Sequence, residues 1–287
     1  MENWKTEAKR LKFQDNKSWL DIATTLRYNF PSKTEHQIIE TIRGYLRRQD
    51  EYKKANPIIE KPEVIGIIAD THHPFAHPNY IHFLEDTFEK HRVTRIVHAG
   101  DICDNHAISR FQTETDAYSA MTEFEMALKD VQIYTRAFPE VDLLLGNHCL
   151  IPARQAATMG IPQQFLKGTK ELWNLPKGWN VHEQLIINDV LYEHGTGTSG
   201  KNGALDKAIN AMQSVVIGHS HSFGGCQYKS NSKSLIFGLN VGCGIQINSY
   251  SFRYGKYNKN RETLGCGIVK NSSEGYFIPM SARYFNS

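Results

Sequence analysis

The sequence predicts an α/β (α+β) protein: two mixed β-sheets packed face to face with helices outside them, preceded by a small all-α domain. Apolar runs of strand type alternate with helical segments in the middle of the chain, and further strand-like runs follow one another near its end. The first 56 residues show helical spacing alone. At 287 residues, with 40% hydrophobic residues, the chain is long enough for one large and one small domain.

Residues 1–56 form the small domain of this prediction, with three short helices. Ser18 is placed to cap the second helix, and a third helix is predicted from Ser32 with Glu35 in the capping-box position. Three helices with a turn before the third match a helix-turn-helix in outline. The alternative is a helical cap or an oligomerisation element with a solvated basic face.

The small domain also holds most of the excess positive charge. It has 12 Lys/Arg against 8 Asp/Glu, a net charge of +4, and since the whole chain is +3 the remaining residues sum to −1. A basic domain favours a polyanionic partner, and nucleic acid is the partner predicted here. The candidate phosphate contacts are Lys33, Arg43, Arg47 and Arg48.

A linker is predicted at residues 57–63, where two prolines interrupt the chain. The large domain then spans residues 64–287. Its helix with the clearest periodicity is predicted from Asp116 to Phe138.

Five apolar runs of the large domain are predicted as strands, and each stops at a short block of polar side chains. The runs are Val64–Ala69, Arg95–Ala99, Val141–Leu145, Leu185–Tyr192 and Val215–Ile217. The later runs, predicted as strands of the second sheet, are Ser234–Gly238, Leu264–Val269 and Tyr276–Ile278.

The polar blocks contain the residue types of a two-metal site. Carboxylate and carbonyl oxygens bind hard divalent ions, imidazole suits Mn, Fe, Ni and Zn, and a mixed set can hold two ions together. Such a pair can clamp the attacking and leaving oxygens of a phosphoester displacement. The candidate ligands are Asp70, His72, Asp101, Asn147, His194, His219 and His221.

The order of the blocks resembles that of the calcineurin-like metallophosphoesterases: Asp-x-His, Gly-Asp-x-x-Asp, Gly-Asn-His, a lone His, then Gly-His-x-His. The resemblance covers roughly residues 63–283. It implies a first metal on Asp70, His72, Asp101 and His221, and a second completed by Asn147, His194 and His219, with Asp101 bridging. It further implies that His148 stabilises or protonates the leaving oxygen and that Asp104 orients it. A carboxylate that accepts one ring N–H fixes the tautomer of a histidine and favours its charged form.

The chain departs from the family's protein phosphatases at one position. Those enzymes follow Gly-Asp-x-x-Asp with Arg-Gly, whereas Asn105-His106 stands here, so a protein phosphatase is not expected. Instead the closest likeness is to phage-encoded phosphoesterases that carry a small helical domain in front. His106 is a candidate contact to a substrate phosphate.

A loop after the fourth strand, residues 195–202, nearly matches a nucleotide P-loop. Its last position is Asn202 where that motif has Ser or Thr, and the preceding His194 is already a candidate ligand. A P-loop is therefore not expected. Lys201 is the second candidate for contact to a substrate phosphate.

The cofactors predicted are two divalent ions, with Mn²⁺ as the first choice and Fe, Zn or Ni as alternatives. Five widely spaced cysteines without a C-x-x-C pair indicate a reducing cytoplasm. The resemblance to phage-encoded phosphoesterases implies that this is the cytoplasm of a bacterial or phage-infected cell. No apolar stretch approaches 18 residues and the start lacks a signal-peptide pattern, so no membrane partner is expected. The sequence does not indicate which oligomeric state the protein adopts.

The predicted function is metal-dependent hydrolysis of a phosphoester. The basic domain favours a nucleic-acid substrate, hence a nuclease or an end-processing phosphatase. The first alternative is a phosphoesterase of small or cyclic nucleotides. An alternative of another class is a DNA-binding regulator with an inactive phosphoesterase scaffold, against which the intact ligand set argues.

Overall fold

The structure, a computed structural model, describes residues 4–15, 17–55, 63–110, 115–247, 249 and 261–285. For residues 13 and 47–55 it describes the backbone alone. The chain divides into two compact units, Met1–Lys61 and Pro62–Ser287. Of the predicted linker, residues 57–63, only Glu63 lies within the described residues.

The first unit is helical, which confirms the N-terminal helical segment predicted from the sequence. Its helices are α1 (Trp4–Lys9), α2 (Trp19–Thr25) and α3 (Glu35–Ala55), with a π-helical turn at Arg10–Gln14 and a 3-10 turn at Arg27–Asn29. Their apolar faces bury one small cluster, which consists of Ala8, Leu11, Ile22, Ala23, Leu26, Ile38, Ile42 and Leu46.

The predicted cap of α2 is confirmed, and that of α3 is wrong by two residues. The Ser18 hydroxyl accepts the backbone N–H of Asp21 at 3.1 Å. At α3, Thr34 and Gln37 cap each other: the Thr34 hydroxyl accepts the Gln37 N–H at 3.4 Å, and the Gln37 side chain accepts the Thr34 N–H at 2.9 Å. Ser32 and Glu35 match the same pattern, but Ser32 lies in the turn before the helix.

The second unit contains eleven described strands and five described α-helices. The strands are β1 (Val64–Ile68), β2 (Arg95–His98), β3 (Val141–Leu144), β4 (Trp179–His182), β5 (Gln184–Ile187), β6 (Val190–Glu193), β7 (Ser214–Ile217), β8 (Gly224–Ser230), β9 (Leu235–Val241), β10 (Gly265–Lys270) and β11 (Glu274–Pro279). The helices are α4 (Tyr80–His91), α5 (Ala120–Ala137), α6 (Ile151–Thr158), α7 (Thr169–Leu172) and α8 (Gly203–Ala211).

These strands form two mixed sheets, as the sequence predicts. The first sheet has the order β11-β10-β1-β2-β3-β4, in which β1 to β4 are parallel, β10 pairs antiparallel with β1, and β11 pairs antiparallel with β10. The second has the order β5-β6-β7-β9-β8, in which β6, β7 and β9 are parallel. Strands β10 and β11 pack against β9, so the two sheets share one core.

The run Leu185–Tyr192, predicted as one strand, is instead a hairpin. It forms β5 and β6 around Asn188 and Asp189, whose φ angles are 47° and 63°. Two central residues with positive φ form the tight turn that matches the twist of a hairpin, and Asn and Asp tolerate this conformation. The apolar residues on both sides concealed the turn in the sequence.

The late strands are also distributed differently from the prediction. Only β9 belongs to the second sheet, whereas β10 and β11 extend the first beyond β1. Strand β8 was not predicted, because as an edge strand with largely half-buried and exposed side chains it lacks an apolar run. Helix α5 begins at Ala120 and not at Asp116, since Ser119 caps it through the Thr122 N–H at 3.2 Å.

None of the described helices is both long enough and apolar enough to cross a membrane.

Candidate active site

The predicted ligands leave the strands at matching edges of the two sheets. Asp70 follows β1, Asp101 follows β2 and Asn147 follows β3, and these three strands are parallel neighbours. In the second sheet, His194 follows β6 and His219 follows β7, again as parallel neighbours. Because the carboxyl ends of parallel strands lie at one edge of a sheet, the chain collects these side chains without long loops.

The ligand atoms of these residues converge on one continuous site. Three groups each hold their donor atoms within 4.8 Å of one another: Asp70, His72 and His221; His72, Asp101 and His148; and Asp101, His194 and His219. His72 and Asp101 belong to two groups each. The Asn147 side-chain oxygen lies 3.0 Å from His194 Nε2. All seven residues predicted as ligands are thus brought together.

The contacts within the site fit bound cations. His72 Nε2 lies 3.1 Å from His221 Nε2, and His219 Nδ1 lies 3.2 Å from His194 Nε2. The two nitrogens of each pair are close enough to bind one cation together through their lone pairs. Within the described part of the chain, buried Asp70 Oδ1 has no hydrogen-bond partner, which a bound ion would supply. The donor set therefore fits divalent metal ions.

Two glycines allow the carboxylates to reach this position. A Cβ at Gly146 would lie 2.1 Å from Asp101 Oδ1, and a Cβ at Gly218 would lie 2.3 Å from Asp70 Oδ1. Each carboxylate also accepts a backbone N–H: His148 donates to Asp101 Oδ1 and His219 to Asp70 Oδ2, both at 2.7 Å. The turns after β3 and β7 therefore orient the ligands of β2 and β1.

Asp104 contacts two histidines of the site. His72 donates from Nδ1 to Asp104 Oδ1 at 2.6 Å, which leaves Nε2 for a metal. His148 Nδ1 lies 2.7 Å from the Asp104 main-chain oxygen and 3.2 Å from Oδ1. The His148 contact was predicted, but the His72 contact was not. Its signal in the sequence was weak, namely a buried ligand histidine that needs a partner for its second nitrogen.

Neighbouring groups oppose the effect of burial at three residues of the site. Burial would raise the pKa of the Asp101 carboxyl, but His194, His72 and His148 together hold that pKa below its ordinary value. Burial would lower the pKa of His148, but the hydrogen bond to Asp104 raises it to about 9. Burial would raise the pKa of Asp104, but its hydrogen bonds from His148 and His72 lower it to about 2. These shifts favour the ionised form of Asp104 and the protonated form of His148.

The two candidates for contact to a substrate phosphate lie in different places. His106 lines a cleft of about 440 Å³ that also contains Asn147 and His148. Lys201 is exposed in the turn before α8 and is not among the described residues that line this cleft. Its backbone carbonyl accepts from Asn240 at 3.5 Å. Both contacts stay predictions.

Two of the four predicted nucleic-acid contacts in the first unit can be placed. Lys33 donates to the Thr41 hydroxyl at 2.9 Å, and Arg43 donates to Glu40 at 3.0 Å. The side chains of Arg47 and Arg48 lie outside the described residues. Contact of these residues with nucleic acid stays a prediction.

Comparison with known families matches residues 64–241 to the calcineurin-like phosphoesterase family. The match covers more than half of the chain and includes the seven predicted ligands. The chain belongs to the calcineurin-like phosphoesterases and is a hydrolase of phosphoester bonds, in a family that uses divalent metals.

Similar solved structures include vacuolar protein sorting 29 of Cryptosporidium parvum, at 11% identity and a TM-score of 0.39, covering 73% of this chain and 85% of that one. The phosphoesterase YfcE of E. coli is 13% identical at a TM-score of 0.35, with coverage of 72% and 88%. The nuclease MPE of Pseudomonas putida is 11% identical at a TM-score of 0.31, with coverage of 75% and 86%. No curated protein matches the sequence.

Proposed function

We propose that the chain is a dinuclear metal-dependent phosphoesterase that acts on nucleic acid, as a nuclease or an end-processing phosphatase. The observation that carries the proposal is the convergence of seven ligand side chains into groups that share His72 and Asp101. In this proposal Asp70, His72 and His221 would hold one ion, Asn147, His194 and His219 would hold a second, and Asp101 would be a ligand of both.

Two divalent ions bound there would supply an activated water and would offset charge on the phosphoryl oxygens. The protein's own residues then orient the reaction. His148 belongs to the same group of donor atoms as His72 and Asp101. It is therefore placed to donate a proton to the leaving oxygen. Asp104 is its positioning residue, because it accepts from the ring on the side opposite to the reacting one.

Mn²⁺ is the metal of first choice, with Fe, Zn or Ni as alternatives, because the site mixes carboxylate and amide oxygens with imidazole nitrogens. A cytoplasmic location in a bacterial or phage-infected cell is part of the proposal. It is supported by the five cysteines, all of which are free thiols.

The proposed substrate class depends on the basic first unit, which contributes none of the predicted metal ligands. Its net charge of +4 over residues 1–56 favours a polyanion bound beside the catalytic unit. Small or cyclic nucleotides are the alternative substrates, and they would not require such a unit. A DNA-binding regulator with an inactive scaffold is the alternative of another class.

The test is a screen of the purified chain with Mn²⁺ and other divalent ions. Substrates are single- and double-stranded DNA, RNA, mononucleotides, cyclic nucleotides and p-nitrophenyl esters. The highest kcat/KM is expected on a polynucleotide. A preference for cyclic or mononucleotides would favour the first alternative, and DNA binding without hydrolysis under any metal would favour the regulator.

Asp101→Asn tests the bridging role in the same assay. Asparagine keeps the size of the side chain and an oxygen for the His148 N–H but loses the charge, so activity should vanish and bound metal should fall below two equivalents. Circular dichroism should show the fold retained. Metal analysis that finds two equivalents on the variant would reject the bridging role.

A further inference from the structure

A cleft of about 440 Å³ opens beside the predicted metal ligands. It lies between α6 and the segment 104–110, and Asn147 and His148 are part of its lining. Both walls are held in place: Gln155 on α6 donates to the Ile108 carbonyl at 2.7 Å, and Asn105 donates to the His148 carbonyl at 3.0 Å. The cleft is therefore preformed and shares residues with the active site.

Two arginines are among the described residues that line this cleft. Arg110 lines it from the segment wall and Arg154 from α6. Among its described lining residues the one carboxylate is Asp104, which is 2% exposed and bonded by His72 and His148. An anion in the cleft would therefore meet two guanidinium groups and, among the described lining residues, no exposed carboxylate. We refer to this site, defined by Arg110 and Arg154, as the arginine cleft.

Arg154 connects the arginine cleft to the metal centre. It donates through one guanidinium nitrogen to the backbone carbonyl of Asn147 at 2.5 Å. A guanidinium carries five N–H donors in a planar fork, and the fork matches two oxygens of a phosphate. One bond to Asn147 therefore fixes the side chain and leaves donor capacity for an anion.

Most of the predicted metal ligands lie outside the arginine cleft: of the seven, Asn147 alone is among the described residues that line it. An anion held by the two arginines is therefore placed as a separate group from the phosphate that reacts among Asp70, Asp101 and the histidines. A simple monoester has no second anion to place there. A nucleic-acid strand carries a phosphate at every nucleotide, and the cleft lies within the range of about 300–1,000 Å³ typical of ligand sites.

We infer that the arginine cleft binds the phosphate next to the reacting one in a nucleic-acid strand, with Arg110 and Arg154 as its ligands. The inference rests on the proposed function and specifies what that site recognises: a substrate with two phosphates separated by a nucleoside.

Binding of small nucleotides to the Mn²⁺-loaded full chain tests the inference, and release of inorganic phosphate is measured in each titration so that hydrolysis is distinguished from binding. The probes are thymidine 3′,5′-bisphosphate, the two thymidine monophosphates and thymidine 5′-diphosphate, measured by isothermal titration calorimetry. The bisphosphate should bind about ten- to a hundredfold more tightly than either monophosphate, which is the effect of a charge-assisted hydrogen-bonded contact. Arg110→Ala and Arg154→Ala should each reduce this advantage.

Arg136→Ala is the matched control, since Arg136 is exposed in the last turn of α5 and outside the cleft lining. It should retain the full advantage of the bisphosphate. Metal content is measured in every variant, because Arg154→Ala also removes the bond to Asn147. If that variant loses metal, Arg110→Ala decides the test, because it leaves the bond between Arg154 and Asn147 in place.

Three results would overturn the inference. If the bisphosphate binds no better than the monophosphates, or keeps its advantage in both variants, the arginine cleft is not a phosphate site. If the diphosphate binds best and depends on the arginines, the cleft binds adjacent phosphates of a small nucleotide and not a strand. Hydrolysis of DNA and RNA by the native chain separates the two proposals: if it is observed, the proposed function stands whatever the cleft binds.

Discussion

At the scale of single residues, Asp104 joins the predicted metal centre to the predicted acid. It is 2% exposed, and an ionised carboxylate buried to this degree is stable only when it is paired and hydrogen-bonded. His72 and His148 provide that pairing at 2.6 and 3.2 Å. A single carboxylate thereby orients the ring of one predicted ligand and the ring of His148.

His148→Ala should lower kcat by about 10²–10⁴, the range for loss of a general acid. Metal content should stay near that of the native chain, because His148 is not assigned to either ion. The loss should be smaller for p-nitrophenyl esters, whose leaving group needs no proton. Rates for p-nitrophenyl and alkyl esters of one acid measure this, and an equal loss for both would point to phosphate binding as the role of His148.

Glu123 is a buried carboxylate like Asp104, but the described contacts pair no cation with it. It is 4% exposed on α5 and accepts the Ala107 N–H at 2.9 Å. Burial, with a contribution from nearby Asp104, raises its pKa from 4.5 to about 7. The folded chain therefore holds this proton up to about pH 7, whereas the unfolded chain loses it above about 4.5.

The free energy of unfolding should consequently fall between these two pH values, because the folded state binds more protons there. The loss amounts to at most about 3 kcal/mol. Glu123→Gln cannot ionise and keeps an oxygen for the Ala107 N–H. Relative to the native chain the variant should gain stability from pH 5 to pH 8, as measured by urea unfolding at both values.

Glu125→Gln, on the exposed face of the same helix, controls for the change of side chain. A difference between Glu123→Gln and the native chain that is the same at pH 5 and pH 8 would show that Glu123 does not carry this dependence.

At the scale of elements, the turn after β3 depends on Gly146. A Cβ there would lie 2.1 Å from Asp101 Oδ1 and 2.6 Å from the Asp101 backbone nitrogen, so the β3 turn or the carboxylate must move. Gly146→Ala should therefore reduce bound metal and lower kcat/KM at least tenfold, because a displacement of about 1 Å can cost about 10² in rate.

Gly168→Ala is the matched control, since no atom lies within 4 Å of the added Cβ. It should leave metal content and kcat/KM unchanged. Native metal content and activity in Gly146→Ala would mean that the site does not require the close approach of this turn to Asp101.

The sequence predicted the elements that end at the site better than the elements far from it. Each of β1, β2, β3 and β7 is an apolar run that stops at a Gly or Asp, so length, composition and turn residue agree. The hairpin at Asn188 was missed because apolar residues flank it on both sides. The sheet to which β10 and β11 belong was predicted wrongly, since periodicity shows that a strand exists but not which strand it pairs with.

The residues of the site also differ in how far the sequence predicts them. Seven candidate ligands could be chosen because their residue types and order indicate metal chemistry, and the structure brings them together. Arg154 was not selected, because a lone arginine seven residues after Asn147 has no signal in the sequence. Its position depends on how α6 packs against the segment that contains Ile108, which is a property of the tertiary structure.

At the scale of the whole molecule, charge and predicted chemistry lie in different units. Residues 1–56 carry a net charge of +4 and residues 57–287 a net charge of −1. Every predicted metal ligand belongs to the second unit, which begins at Pro62. If the first unit binds nucleic acid, affinity for a long substrate and the hydrolytic step can therefore be separated by deletion.

A chain that lacks residues 1–56 should bind polynucleotide more weakly but still hydrolyse p-nitrophenyl esters. For each phosphate that is no longer neutralised, the slope of log affinity against log salt should fall by about 0.9 on duplex DNA. Fluorescence anisotropy across a salt series measures the slope, and circular dichroism checks that the shortened chain is folded. Lys33→Glu in the full chain is the finer test, since it should weaken binding and lower the slope while ester hydrolysis is unchanged.

An unchanged affinity and slope in the shortened chain, together with conversion of an oligomer to a monomer in light scattering, would identify the first unit as an assembly element. The small-nucleotide alternative would then lead, because the basic unit is the main support for a nucleic-acid substrate.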